Sequence, residues 1–232
     1  KSLFVLLGAA LLFGSCTSSR LTLADGGRSD YRIEVDAGAD SLTQLAAGRF
    51  QNYFRQISRV ELPIVAGGVA GDGARAIVFR TDTSRLADLG QDGFEIRTNG
   101  ERLCVEGGSS RGTLNGMYTL LEDYLGCRKY SAAVEVIPQA DRVTVPRGIC
   151  DRQVPVITFR DLHYRGTNDQ GYIDWHKLSH DTAGGKPDWG FWCHSFGQLL
   201  PADEYFASHP EYFALVGGQR ASTQPCLSQP AV

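Results

Sequence analysis

The apolar positions follow two periods along this chain. Tyr31, Ile33 and Val35 alternate with Arg32 and Glu34, the two-residue period of a half-buried strand. Leu42, Leu45, Ala46, Phe50, Tyr53, Phe54 and Ile57 recur at helical spacing to about Ser58, with Asp40 or Ser41 placed to cap the start. A short run over 61–65 holds Pro63, which cannot donate to a ladder and so predicts an edge strand. The Gly-rich stretch 67–73 reads as a loop, and 76–79 as a short buried strand. Two further strands, 93–98 and 102–106, flank Asn99-Gly100, a pair suited to the positive φ of a tight hairpin. Leu114, Met117, Tyr118, Leu121 and Leu125 then form a second helical stripe, with Ser109 or Ser110 as cap and Gly126 as left-handed stop. Gly112 and Gly116 sit one turn apart inside it. Each costs roughly 1 kcal/mol against alanine, which predicts that another element packs close to the helix backbone. Strands at 134–137 and 142–145 complete the run. The order strand, helix, several strands, helix, strands predicts an α+β module over 31–146, a mixed sheet with two helices on one face.

The texture changes after Arg147. A strand is predicted over 155–160, and the following segment is aromatic and polar. All three tryptophans and all five histidines lie between His163 and His209. A short helix or turn is read at 203–207, a strand at 212–216 and a turn at Gly217-Gly218. These elements are too few to close a core. The expectation is the beginning of a larger domain, cut short at Val232.

The formal charge of −3 argues against nucleic acid and against a basic membrane-binding patch. The apolar run 3–13 is too short to span a bilayer and reads as the core of a signal peptide. It ends in Gly14-Ser15-Cys16, which resembles a bacterial lipoprotein signal with Cys16 as the lipidated residue. Residues 1–16 are then the signal and 17–30 a polar tether. The one methionine is Met117, so the natural start is expected to lie upstream. The other five cysteines are odd in number and contain no Cys-x-x-Cys pair, which argues against a disulfide framework or a zinc ribbon. Cys104 is expected to be a buried strand residue.

Two stretches carry a resemblance. The run from Ser110 through Leu114, Gly116, Tyr118 and Glu122 to Tyr130 looks like the module that precedes the catalytic barrel in α-glucuronidases and family 20 hexosaminidases. Ser208 to Arg220 and Pro225 to Pro230 look like a segment of a Bacteroidetes lipoprotein family that includes glycoside hydrolase family 163. The resemblance implies a truncated (β/α)₈ barrel over 147–232, beginning near Pro155 with Phe159, Arg160 and Asp161 at the end of its first strand. It implies catalytic carboxylates beyond Val232, and therefore an inactive fragment of a glycoside hydrolase acting on complex glycans, endo-β-N-acetylglucosaminidase-like or α-glucuronidase-like. No cofactor or metal is expected. The expected partners are a glycan and, through the lipid alone, a membrane on the periplasmic face or cell surface. A non-catalytic carbohydrate-binding lipoprotein is the alternative, and a purely structural domain a third.

Within the chain, Trp189, Trp192 and His194 are the candidate sugar contacts, because flat aromatics stack on the C–H faces of sugars while polar groups bond the hydroxyls. Arg160 and Arg165 could hold a carboxylate or hydroxyls bidentately, or could pair structurally with Asp161 or Asp169. His176 and His180 have helical ligand spacing but no Glu between them, so a metal site is not expected there.

Overall fold

The computed structural model describes residues 19–67, 74–162, 166–179 and 195–228. The chain divides into two compact units, Lys1–Ala183 and Gly184–Val232.

In the first unit the strands are β1 (Arg20–Asp25), β2 (Arg32–Val35), β3 (Ile64–Ala66), β4 (Ala76–Thr81), β5 (Phe94–Asn99), β6 (Arg102–Gly107), β7 (Arg128–Lys129), β8 (Glu135–Val136), β9 (Arg142–Pro146) and β10 (Cys150–Gln153). The helices are α1 (Ser41–Ser58), the single turn α2 (Leu86–Leu89), α3 (Ser110–Thr119) and α4 (Gln170–Trp175). Six strands form one mixed sheet in the order β10-β5-β6-β4-β2-β3. The pairs β2–β3, β2–β4 and β4–β6 are parallel, whereas β5–β6 and β5–β10 are antiparallel. This is the expected α+β module, and β3 is the expected edge.

Strand alternation sorts the sheet into two faces. Ile33, Val35, Ile77, Phe79, Ile96, Leu103 and Val105 are buried beneath α1 and α3, which supply Phe50, Phe54, Leu114 and Met117 to the same core. The opposite face carries charge. Glu34 and Glu106 are almost fully covered there by arginine side chains: Arg102 reaches Glu34 at 2.6 Å and Arg85 reaches Glu106 at 2.8 Å. Cys104, expected in the core, lies half-buried on this charged face, since the alternation places Leu103 and Val105 inward instead.

Asp40 caps α1 by accepting from the Thr43 amide. Ser109 caps α3 through the amides of Arg111 and Gly112. Thr43, Thr81 and Thr113 form a hydroxyl chain, with Oγ1 separations of 2.8 and 2.9 Å, that ties the first turns of both helices to β4. The second helix runs past Thr119 as a wider turn over Leu120–Tyr124 and stops at Gly126, whose φ of +77° is the left-handed stop the sequence predicts.

Two expectations are corrected. The stretch 17–30 is not simply a tether: β1 pairs antiparallel with β9, and Leu21, Leu23, Val143 and Val145 enter the main core. The stretch 155–160 does not form a strand. Val156 is 97% exposed and Ile157 68% exposed, and no ladder joins this run to a strand among the described residues.

In the second unit the described residues form two helical turns, α5 (Phe196–Leu199) and α6 (Ala202–Tyr205), then a hairpin of β11 (Phe213–Val216) and β12 (Gln219–Pro225). Gly217 and Gly218 take φ of +60° and +80° at its turn, as the sequence predicts. Phe206 stands edge-on to the buried Phe213 at 5.2 Å. No helix among the described residues is long and apolar enough to cross a membrane.

Candidate functional site

Of the candidate residues, Cys16, Arg165, Trp189, Trp192 and His194 lie outside the described residues, as does His180. Arg160 is described, and it is a strut. Its Nη2 pairs with Asp92 at 2.7 Å, its Nε donates to the Lys177 carbonyl at 2.8 Å, and its Nη1 donates to the Ile157 carbonyl at 2.5 Å. Its amide donates to Ser179 Oγ, and its carbonyl accepts from the Ser179 amide. Arg111 Nε reaches the other oxygen of Asp92 at 2.7 Å. One carboxylate on the loop before β5 thus fastens α3 and the 157–160 segment together. Nearby, burial holds the Lys177 ammonium below its ordinary pKa, with Glu122 at 4.0 Å opposing that shift.

This geometry predicts that Arg160→Ala loosens a local segment and leaves the sheet intact. Amide hydrogen exchange should rise in 157–160 and 177–179 but stay unchanged in β4 and β6. The stability loss should be about 1–3 kcal/mol, the range for hydrogen bonds to charged groups. Unchanged exchange in both segments would show that Arg160 is no strut.

A second constellation lies where β1, the turn after it, the start of β4 and the β5–β6 hairpin meet. It surrounds a cavity of about 430 Å³ whose lining includes Arg28, Asp30, Tyr31, Arg75, Glu101 and Arg147. The turn is shaped by Gly26 and Gly27, both at positive φ, and by Ser29, whose hydroxyl donates to the Leu23 carbonyl and accepts from the Tyr31 amide. Arg75 Nη1 pairs with Asp30 at 2.5 Å, and its Nε approaches Glu101 at 3.6 Å. Arg147 pairs with Glu101 and donates to the Gly100 carbonyl at 2.9 Å. The Arg147 bond holds the Glu101 carboxyl below its ordinary pKa. Burial, helped by the Glu101 charge, pushes the Tyr31 hydroxyl up to about 12. The lining thus combines guanidinium donors, carboxylate acceptors and the Tyr31 phenol.

The sequence does not advertise this cavity. Its lining comes from residues 20 to 147 and falls at strand ends and turns, where charge is ordinary. The one legible signal is the concentration of arginine at those ends. Among the described residues, no group of three or more His, Cys, Asp or Glu is placed to hold a metal ion.

Among known protein families, the one described as "Domain of unknown function (DUF4838)" matches residues 129–232. No curated protein matches the chain. Among solved structures, a GH20 β-N-acetylhexosaminidase from Streptomyces coelicolor A3(2) is 18% identical over 61% of this chain and 25% of its own, with a TM-score of 0.45. A mutant Streptomyces plicatus β-hexosaminidase, in complex with GlcNAc as product, is 16% identical over 67% of this chain and 29% of its own, with a TM-score of 0.46. A GH115 4-O-methyl-α-glucuronidase with specificity for decorated arabinogalactans is 11% identical over 60% of this chain and 19% of its own, with a TM-score of 0.40. The chain thus spans less than a third of the length of each of these structures.

Proposed function

We propose that this chain is the N-terminal part of an exported glycoside hydrolase acting on complex glycans. The α+β module serves as a support beside a (β/α)₈ barrel that begins near Pro155. The observation that carries this reading is the run from Val154 to Phe159. It has the composition of a buried strand, yet Val156 and Ile157 stand in solvent and the run joins no sheet among the described residues. A β-branched apolar run of this kind is stable only when its backbone groups and side chains find strand neighbours. Further strands from chain beyond residue 232 would supply them. The sequence resemblance of 110–130 and 208–230 points the same way. Cys16 would carry the lipid that holds the protein at a membrane, and the catalytic carboxylates would lie on later strands.

The test compares this chain with the complete product of its gene on an N-glycan glycopeptide and on glucuronoxylan, with products read by mass spectrometry. Hydrolysis by the complete product alone is expected. Hydrolysis by neither, on any of a wider set of glycans, would remove the enzyme reading. Lipidation is tested separately, by metabolic labelling with a fatty-acid analogue that should disappear in Cys16→Ser. The alternative, a non-catalytic carbohydrate-binding lipoprotein, draws on the charged cavity, which could hold a saccharide without any catalytic pair.

A further inference from the structure

We propose that the cavity at the β1 end of the module is a binding site for an acidic saccharide, a sugar bearing a carboxylate or sulfate among its hydroxyls. The assignment of the ligand to the sugar class rests on the glycan reading above; its acidic character rests on the cavity itself. At about 430 Å³ the space falls within the range of small-molecule sites.

Four arginines (Arg20, Arg28, Arg75, Arg147) face three carboxylates (Asp25, Asp30, Glu101), which leaves one positive charge in excess. The pairing is uneven. Arg75 is engaged by Asp30 and Glu101, and Arg147 by Glu101. Arg20 is held by Thr144 through Oγ1 at 2.7 Å and the carbonyl at 3.0 Å. Arg28 stands exposed on the turn and makes no side-chain ion pair or hydrogen bond among the described residues. Its guanidinium is therefore available for a bidentate bond to an anionic group.

The remaining lining fixes the rest of the ligand. Asp30 and Glu101 are anchored acceptors for hydroxyl donors, while the guanidinium edges of Arg75 and Arg147 donate to hydroxyl oxygens. A ligand that both donates and accepts fits this mixture, and a polyol does both. Inorganic phosphate fits less well, because it offers mostly acceptors and cannot satisfy Asp30 and Glu101 with hydroxyl donors as a polyol does.

The test is calorimetric titration of the full chain with a glucuronate-bearing disaccharide, with the neutral disaccharide that has glucose in its place, and with inorganic phosphate. The acidic disaccharide should bind, and the neutral one about tenfold more weakly, the loss expected of one charge-assisted hydrogen bond. Arg28→Ala should abolish that preference. Because Arg28 is exposed and makes no side-chain ion pair or hydrogen bond among the described residues, this variant should melt with the parent. A second variant, Glu101→Gln, should weaken both disaccharides and keep their ratio. Binding of neither saccharide, equal binding of both, phosphate binding as tightly as the acidic disaccharide, or an unchanged preference in Arg28→Ala would each overturn the proposal. The readout is independent of hydrolysis. Acidic-disaccharide binding without activity in the complete gene product leaves this site standing and removes the enzyme reading; activity without binding does the reverse.

Discussion

Gly112→Ala is expected to destabilise the protein by about 3 kcal/mol, the upper part of the usual range for overpacking a tight core. Alanine inside a helix is ordinarily better than glycine by roughly 1 kcal/mol, so the sign is reversed here, and the reversal is the substance of the prediction. The α3 backbone lies directly against the β5–β6 pair of the sheet. A methyl at Gly112 would collide with the Gly93 carbonyl oxygen and stand 3.2 Å from the Gly93 carbonyl carbon and 3.3 Å from Gly107 Cα. All three are backbone atoms, so no side chain can rotate away and the helix itself must lift. A methyl at Gly116, one turn on, would meet Val105 Cγ1 at 2.6 Å and the Phe94 ring at 3.1 Å, so the helix is pinned along two successive turns. Gly48 in α1 supplies the control, because a methyl there meets nothing within 4 Å. Gly48→Ala should therefore stabilise by about 0.5–1 kcal/mol. Denaturant unfolding of both variants decides the matter. Equal and small shifts would mean that α3 does not sit on the sheet as described.

The close approach at Gly112 and Gly116 is readable in the sequence, since two helix-weakening residues one turn apart need a packing reason. So are the Asp40 cap, the Gly126 stop and the β5–β6 hairpin, each of which depends on a few adjacent residues, although the turn falls one residue later than the sequence suggests, at Gly100-Glu101, with Asn99 still paired to Arg102. Features that depend on distant partners are not readable. Arg20 to Asp25 has strand alternation, Leu21 and Leu23 against Arg20 and Thr22, but its partner β9 is remote in the chain and the surrounding glycines suggest a tether. Arg160 could be read as an arginine in need of a carboxylate. Asp161 and Asp169 are near in sequence, yet the carboxylate that meets it is Asp92, delivered by the fold from 68 residues upstream. The run 155–160 shows the opposite failure. Its local preference for a strand is plain, but a strand exists only with a neighbour, and the described residues provide none. The cavity obeys the same rule, since its lining is gathered from turns and strand ends scattered between residues 20 and 147.

The second large effect is expected at Trp175, the last residue of α4. Its side chain is fully buried against the outer side of α1 and α3, with the Tyr53 ring at 5.6 Å and the Tyr118 ring at 5.2 Å. Beside it, Arg49 of α1 donates to Asp174 and to the Tyr118 hydroxyl, both at 2.5 Å, which locks the short helix to the long ones. Trp175→Ala should cost about 3–5 kcal/mol, the loss typical of emptying a large aromatic site. Trp175→Phe should cost far less, about 1 kcal/mol. The buried indole Nε1 has no hydrogen-bond partner among the described residues, and phenylalanine removes that unsatisfied donor while keeping most of the ring packing. The contrast between the two variants isolates packing from hydrogen bonding. If phenylalanine is as damaging as alanine, the indole nitrogen has a partner and the packing argument fails. If alanine costs no more than about 1 kcal/mol, α4 is not anchored on the helices. With both outcomes as expected, the part of the helix layer around Tyr53 and Tyr118 is an interior surface. The layer is closed from one side by the sheet, and its other side is covered by α4 only around Tyr53 and Tyr118, within the same compact unit. α4 thus completes the module's own core, although it follows the last strand of the sheet in the chain.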